Sequence, residues 1–394
     1  MCSKHRQIRF MLSSKLQWLK YSEKADFITF KAYSLKSSAP PETLSEIRSL
    51  VRSMNSYYSN KIEGQETHPA NIEKALHNNF SARPEIASLQ RLALAHIEAE
   101  EELEQAVSDG ALPLSSAFAI RAHTALYGRL SPDDRKTPEG EETIPGALRI
   151  RDVKVGRHLA PSFRSVPEFL SVFDEFYAKP WTPQRNFIAT ACAHHRLAWI
   201  HPFIDGNGRA SRLQTHASLT PLSHGIWSVN RGLARNKENY YQMLAAADAP
   251  RQGDLDSRGN LSEKGQRTWI DFFLDVCLDQ VNFMSDLLDL QGMKKRIEGF
   301  VSYHSATGNK KLRKEAILPL QHLFAVGSLS RGEFIQMTGL GERTARYLLS
   351  ALIDLGVVKS NSTHAPLRFG FPLESLSMLM PNLYPEASTS NFDY

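Results

Sequence analysis

At 394 residues, the chain exceeds what one ordinary core organises, and two or three domains are expected. Its hydrophobic fraction of 42% is ordinary for a water-soluble protein, and no apolar run reaches membrane-crossing length, so no membrane partner is expected. The formal net charge of +5 and a pI near 9.0 admit acidic ligands, nucleotides among them, without demanding nucleic acid. Three cysteines, Cys2, Cys192 and Cys277, are odd in number and lack metal-ligand spacing, so no disulfide framework is expected. Cys192 and Cys277 lie in apolar helical patterns and read as buried thiols. The basic start (Lys4, Arg6, Arg9) has no clean apolar stretch or small-residue cleavage site, and the expected location is cytoplasmic.

The first forty residues carry no readable pattern up to a breaker at Ser37–Pro41. Helical spacing then runs over Glu42–Tyr58, from near Ala70 through Leu76, over Ile86–Val107 and over Ser115–Tyr127. The stretch Ser131–Ser165 is rich in Pro, Gly and charge. Its short alternating piece, Val153-Lys154-Val155, predicts a loop region with a β-hairpin. Helices resume at Val166–Phe176 and Gln184–Ile200, after Gly208 towards Ser218, at Asn239–Ala247 and at Lys264–Leu290. Lys294, Lys295 and Arg296 begin a charged linker helix. Beyond it, a helix near Arg331, a Gly339-Leu-Gly341 turn, a helix over Glu342–Leu355 and apolar residues at Leu367–Phe371 outline a winged helix-turn-helix with a two-strand wing.

Residues 201–212 read His-Pro-Phe-Ile-Asp-Gly-Asn-Gly-Arg-Ala-Ser-Arg. Gly206-Asn207-Gly208 is a turn of residues that tolerate positive φ, feeding directly into a helix. Such a turn presents backbone N–H groups to an anion, and the helix dipole adds attraction. Arg209 and Arg212 share one face of that helix, and two guanidiniums beside an anion nest suit a polyphosphate. Asp205, a lone carboxylate at the loop's edge, is what Mg²⁺ uses beside phosphates. His201 is the group best placed to take a proton near neutral pH. A lone histidine is usually structural and a D-G-N-G string is usually a turn. Here all these elements occur together in one short segment, with too few acidic residues for a calcium loop.

The segment matches the Fic family motif H-P-F-x-[DE]-G-N-G-R-x-x-R at every defined position, and the resemblance extends over roughly Leu112–Leu290. Ala193–Ile200 resembles the helix leading into the motif loop. Pro145-Gly146, Arg149 and Val155-Gly156-Arg157-His158 resemble the family's flap, and Arg231-Gly232-Leu233 with Tyr240 and Tyr241 resembles the segment that closes over adenine. The resemblance implies a mostly α fold: a Fic-type helical bundle with a small β-hairpin flap. It also implies transfer of AMP from ATP to a Ser, Thr or Tyr hydroxyl of a target protein, releasing pyrophosphate. In that reaction His201 is the base, Asp205 holds Mg²⁺, Gly206, Asn207 and Gly208 form the anion hole, and Arg209 and Arg212 hold the outer phosphates. Val155 and Gly156 of the flap and Tyr240 and Tyr241 also fall on the nucleotide side. Phe203 is read as the core anchor of the loop. The free edge of the flap strand suits an extended segment of the target, which can be the protein itself.

Ser59-Asn60-Lys61-Ile62-Glu63-Gly64 matches the family's inhibitory motif [ST]-x-x-x-E-[GN]. Ser59 and Glu63 share a helix face, and Gly64 ends the helix or leaves room beside a nucleotide. The resemblance implies that Glu63 pairs with Arg212 in cis and displaces ATP from its productive pose. A second role is open, in which Glu63 activates water to remove AMP from a modified target.

The expected division is an N-terminal helical region with the inhibitory helix over 1–111, a catalytic core over 112–290, and a linker helix with the winged helix over 291–394. In the last, Arg343 and Arg346 fall on the exposed face of the second helix, with Lys310, Lys311, Arg313 and Lys314 nearby. DNA contact, protein contact and homodimerisation all stay open. Three functions compete: the AMP transferase with its own brake, the same chemistry with UTP, GTP or another donor, and a nucleotide-sensing DNA-binding regulator. An intact His201 counts against the regulator.

Overall fold

The computed structural model describes residues 15–385, apart from residues 138, 157, 254–255, 257–259 and 308–311, and gives the backbone alone for residues 15–19 and Val155. Among the described residues the chain forms sixteen helices and five short strands. The first five helices are α1 (Lys15–Lys36), α2 (Pro41–Ile62), α3 (Pro69–Leu76), α4 (Pro84–Ser108) and α5 (Ser116–Tyr127). Pro41, Pro69 and Pro84 open α2, α3 and α4, a position where the missing N–H costs nothing and φ is already helical. Ser115 caps α5 by accepting from the Phe118 N–H.

α1 is the helix that periodicity did not reveal. Tyr21, Ala25, Ile28, Ala32 and Leu35 form a buried stripe, while Phe27, Phe30 and Tyr33 on other faces are exposed. Apolar residues on several faces erase the amphipathic signal. The stripe packs along α7 (Pro183–Ile200) and α11 (Glu263–Leu288).

The expected hairpin is present as β1 (Lys154–Val155) and β2 (His158–Leu159), antiparallel with Val155 opposite His158. Gly156 takes φ +59° in its two-residue turn. α6 (Val166–Tyr177), α7 and α8 (Asn207–Ser223) follow, then α9 (Val229–Arg235), α10 (Lys237–Asp248) and α11. α7 and α8 pack side by side at the centre and deliver the two ends of the motif loop. α9 was not foreseen. Its Arg231 is buried, donating to the Asn382 carbonyl at 2.8 Å and lying 3.6 Å from the Phe283 ring centroid. Cys192 and Cys277 are fully buried, as read.

The C-terminal elements are α12 (Leu290–Ala306), α13 (Ile317–Val326), β3 (Ser328–Leu329), α14 (Arg331–Met337), α15 (Glu342–Asp354), β4 (Val358–Lys359), β5 (Leu367–Phe369) and α16 (Leu373–Leu379). The helix, glycine turn, helix and strand order is as expected, with Gly339 at φ +66° in the turn. The sheet has three strands, ordered β3-β5-β4, where two were expected. β3 escaped notice because only two residues form it. Arg343 and Arg346 are exposed, Arg346 pairing with Glu342 at 2.5 Å. Lys310 and Lys311, like Arg157 of the flap, lie outside the described residues. α12 is no free linker: it buries Met293, Ile297, Phe300 and Val301.

One apolar core runs continuously from Tyr21 to Leu383. The C-terminal elements share it with α2 in particular. Thr43 donates to the Phe324 carbonyl at 3.2 Å, Tyr58 donates to the Leu383 carbonyl at 2.9 Å, and Tyr57 and Tyr58 pack against Tyr384. No described helix is long and apolar enough to cross a membrane.

Candidate active site

The motif loop is built around two left-handed residues. His201, with φ +51°, ends α7, and Gly206, with φ +75°, precedes α8. A side chain at Gly206 would collide with the Tyr127 ring, so glycine is required there by space as well as by φ. Asn207 clamps the loop shut. Its Oδ1 accepts from the Phe203 N–H and its Nδ2 donates to the Phe203 carbonyl, each at 2.9 Å. The Asn207 side chain is thereby spent on loop shape, leaving its backbone N–H for the helix end. Phe203 is fully buried, as expected of the anchor. The Ala210 N–H bonds to the Gly206 carbonyl, so the first N–H groups of α8 precede the helical ladder and face outward from its end.

His201 is oriented from two sides. Its Nδ1 donates to the Ala198 carbonyl at 3.4 Å, leaving the lone pair on Nε2. Burial lowers its pKa to about 4, so the imidazole is neutral and able to accept a proton at ordinary pH. Arg149 fixes the backbone beneath it. Its Nε donates to the His201 carbonyl at 2.8 Å, its Nη1 to the Arg151 carbonyl at 3.0 Å and its Nη2 to the Pro161 carbonyl, while its N–H meets the Pro202 carbonyl at 2.9 Å. One buried guanidinium therefore ties the motif loop to both flanks of the hairpin.

His123 was overlooked in the sequence. It lies sandwiched between Phe203 and Tyr127, at centroid distances of 4.0 and 4.5 Å. Its Nδ1 accepts from the Gly146 N–H at 2.9 Å and its Nε2 donates to the Asp205 carbonyl at 3.1 Å. Burial lowers its pKa to about 4, fixing this neutral tautomer. The only trace in the sequence was a histidine in a helix rich in alanine and other apolar residues. Tyr127 in turn donates to Asp205 Oδ2 at 3.4 Å and accepts from Arg209 Nη1 at 2.7 Å.

The half of the site around Arg209 and Arg212 is filled by the end of α2. Arg212 Nη2 donates to Glu63 Oε1 at 2.6 Å and to the Ser59 carbonyl at 3.0 Å, and its Nε donates to Ser59 Oγ at 3.0 Å. Arg209 Nε donates to Asn60 Oδ1 at 3.2 Å and its Nη2 to Gln65 Oε1. Gly64, at φ +77°, ends the helix just after Glu63. The Glu63 carboxylate lies directly over Gly208: a Cβ there would collide with Oε1. Burial opposes the Glu63 charge, but Arg212 and then Arg209 outweigh it and hold the carboxyl below its usual range. Both arginines are buried, while the Glu63 side chain keeps 30% exposure at the mouth of the site.

The two tyrosines differ. Tyr240 is 2% exposed, its hydroxyl 2.8 Å from His194 Nε2 and its ring against Trp269. Its hydrogen bond to His194 and its packing bury it. Tyr241 is half-exposed and donates to the Ile62 carbonyl at 3.2 Å, against the last turn of α2. The hairpin is anchored through His158, whose Nε2 donates to the Trp199 carbonyl at 2.8 Å and whose Nδ1 lies 3.4 Å from Asp248.

Residues 113–219 match the model of the Fic/DOC family. The protein adenylyltransferase Fic of Drosophila willistoni is 29% identical over 111 residues, which cover 28% of this chain and 21% of that protein. Its counterpart in Culex quinquefasciatus is 28% identical over 141 residues, 34% of this chain and 24% of that protein. The chain thus spans a quarter or less of the curated relatives it matches. A Fic family protein from Desulfovibrio desulfuricans G20 superposes with a TM-score of 0.51 at 18% identity, covering 92% of this chain and 98% of that one. A Fic domain containing signaling protein from Bacteroides thetaiotaomicron VPI-5482 gives 0.53 at 18% identity, over 67% and 96%. Both share the fold. The segment 113–219 that matches the Fic/DOC family model holds the whole loop from His201 to Arg212.

Proposed function

We propose that the protein is an adenylyltransferase that moves AMP from ATP to a hydroxyl side chain of a target protein and is held off by its own Glu63. One observation supports this reading: the Glu63 carboxylate lies over Gly208 and against Arg212, where this reading seats an ATP phosphate. An anion at a helix N-terminus, paired to an arginine, is a stand-in for phosphate.

With Glu63 withdrawn, Arg212 and Arg209 are free to hold the outer phosphates, and the N–H groups of Gly206, Asn207 and Gly208 cradle the chain. The target hydroxyl attacks the α-phosphorus in line, its proton passes to His201 Nε2, and the bond to the β-phosphate oxygen breaks to release pyrophosphate. Asp205, one carboxylate beside a phosphate seat, fits Mg²⁺, which when bound neutralises charge on the phosphates. Arg149 and His123 keep His201 and Asp205 in register. The hairpin, with Leu159 73% exposed, supports docking of an extended target segment. The same geometry serves UTP or GTP, since nothing in the phosphate half reads a base, and removal of AMP by a Glu63-activated water uses the same groups. The division at 111 and 290, and a winged-helix role for the last part, belong to this reading; exposed Arg343 and Arg346 leave DNA or protein as its ligand.

The test uses Glu63→Gly, alone and with His201→Ala, incubated with Mg²⁺ and α-labelled ATP, UTP or GTP. Label on protein from ATP, lost on the order of 10²- to 10⁴-fold in the double variant, is expected. Labelling only from UTP or GTP would replace the donor. Nucleotide binding without labelling from any donor would favour the regulator.

A further inference from the structure

α4 and α8 pack against each other, and their seam holds a second cluster of chemistry-bearing side chains. Glu100 and Glu104 of α4 meet His216 of α8, all three buried. His216 Nε2 lies 2.9 Å from Glu104 Oε1 and 3.3 Å from Glu100 Oε1. Two ligand atoms on a tetrahedral ion with bonds of about 2.1 Å stand about 3.4 Å apart. These separations therefore suit a coordination shell as well as hydrogen bonds.

A second, independent feature lies on the other side of the Glu100 carboxylate. His96, one turn before Glu100 on α4, is fully buried, and neither of its ring nitrogens has a hydrogen-bond partner. Its Nδ1 lies 4.0 Å from Glu100 Oε2, which also has none. Buried polar atoms without partners are rare and costly. A cation drawn between the imidazole and the carboxylate would satisfy both.

The surroundings are those of a supported site. Asn55 Nδ2 donates to Glu100 Oε1 at 2.8 Å, and Arg52 Nη2 donates to Glu104 Oε2 at 2.6 Å, leaving Glu104 Oε1 turned to His216. Glu104 and Arg52 also line a cleft of about 510 Å³, a route from solvent.

We propose that Glu100, Glu104 and His216 bind one divalent transition ion, with His96 turning in past the Glu100 carboxylate as the fourth ligand, zinc being the best match to imidazole and carboxylate ligands in tetrahedral number. The site is distinct from the Asp205 position. His216 lies nine residues into α8, about 13 Å along its axis from the motif end. It is one turn beyond Arg212, and Asn55 and Arg52 reach it from α2, one or two turns before Ser59. The ion fastens α4 to α8, the helix of Arg209 and Arg212, and through Asn55 and Arg52 the site also touches α2, which ends at Glu63.

The full chain is stripped with a chelator and titrated with Zn²⁺ against a chromophoric competitor, metal content being measured by mass spectrometry. One zinc per chain, a raised melting temperature and the visible band of four-coordinate cobalt on Co²⁺ substitution are expected. Glu100→Gln weakens zinc binding at least about 100-fold and His96→Gln about tenfold, with unchanged circular dichroism, while Asp205→Asn binds zinc as the wild type does. Should Glu100→Gln fail to fold, the wild-type cobalt spectrum and His96→Gln decide. Absence of stoichiometric zinc and of the cobalt band in the wild type overturns the proposal, as does zinc lost in Asp205→Asn and kept in Glu100→Gln or His96→Gln.

Discussion

The two halves of the site are built differently. Around His201, every polar partner comes from the loop itself or from neighbouring core and flap elements: Ala198, Arg149, His123, Gly146. Around Arg209 and Arg212, most partners come from the end of α2: Ser59, Asn60, Glu63 and Gln65. The half around His201 is assembled from its own surroundings, whereas the half around Arg209 and Arg212 is assembled around the Glu63 carboxylate. On the proposed reading, regulation belongs to the position of α2. Because Tyr57, Tyr58 and Thr43 of α2 are fastened to Tyr384, Leu383 and Phe324, the C-terminal elements are mechanically connected to that position.

Substitutions should separate the halves by sign. The largest effect is expected from Arg149→Met, which strands buried carbonyls of His201 and Arg151 and should cost about 3 kcal/mol of stability in urea unfolding along with activity. Unchanged stability would show that the guanidinium does not brace the loop. His123→Phe keeps the stack between Phe203 and Tyr127 but deletes both hydrogen bonds, and a loss of about 1–2 kcal/mol with lowered kcat is expected. On the other half, Gln65→Ala frees one donor of Arg209 and should raise labelling severalfold, less than removal of Glu63. A fall in labelling would mean that Gln65 supports the nucleotide rather than the brake.

The smallest effect is expected from pH. His201 and His123 are held at about 4, below the ordinary histidine value of about 6.5. The unfolded chain thus takes up protons first: their contribution to stability is complete above about pH 6.5 and is lost as pH falls towards 4. The melting temperature should drop over that interval and stay level above it. Glu63 titrates below the usual carboxyl range, so its pair with Arg212 persists throughout neutral pH. Relief of the brake is expected to require movement of α2 rather than a proton.

Much of this was legible in the sequence wherever the physics is local. The loop from His201 to Arg212 carries its turn, its anion-binding helix end and its charges within one short segment. The pair Ser59 and Glu63 was legible as a helix face, and its partner Arg212 only through the family resemblance. What stayed hidden depends on distant packing. His123 looks like any core histidine until Gly146 and Asp205 are brought to its two nitrogens. Gln65 and Tyr127 gain meaning only from Arg209, far away in the chain. α1 was masked by exposed Phe27, Phe30 and Tyr33, and the adjacent Tyr240 and Tyr241 gave no sign that one is buried and the other half-exposed.

The most direct test compares wild type with Glu63→Gly for label transferred from α-labelled ATP to protein in the presence of Mg²⁺. Weak labelling of the wild type and strong labelling of Glu63→Gly is the predicted result. Equal labelling of the two would mean that the carboxylate over Gly208 is no brake, and would contradict the account.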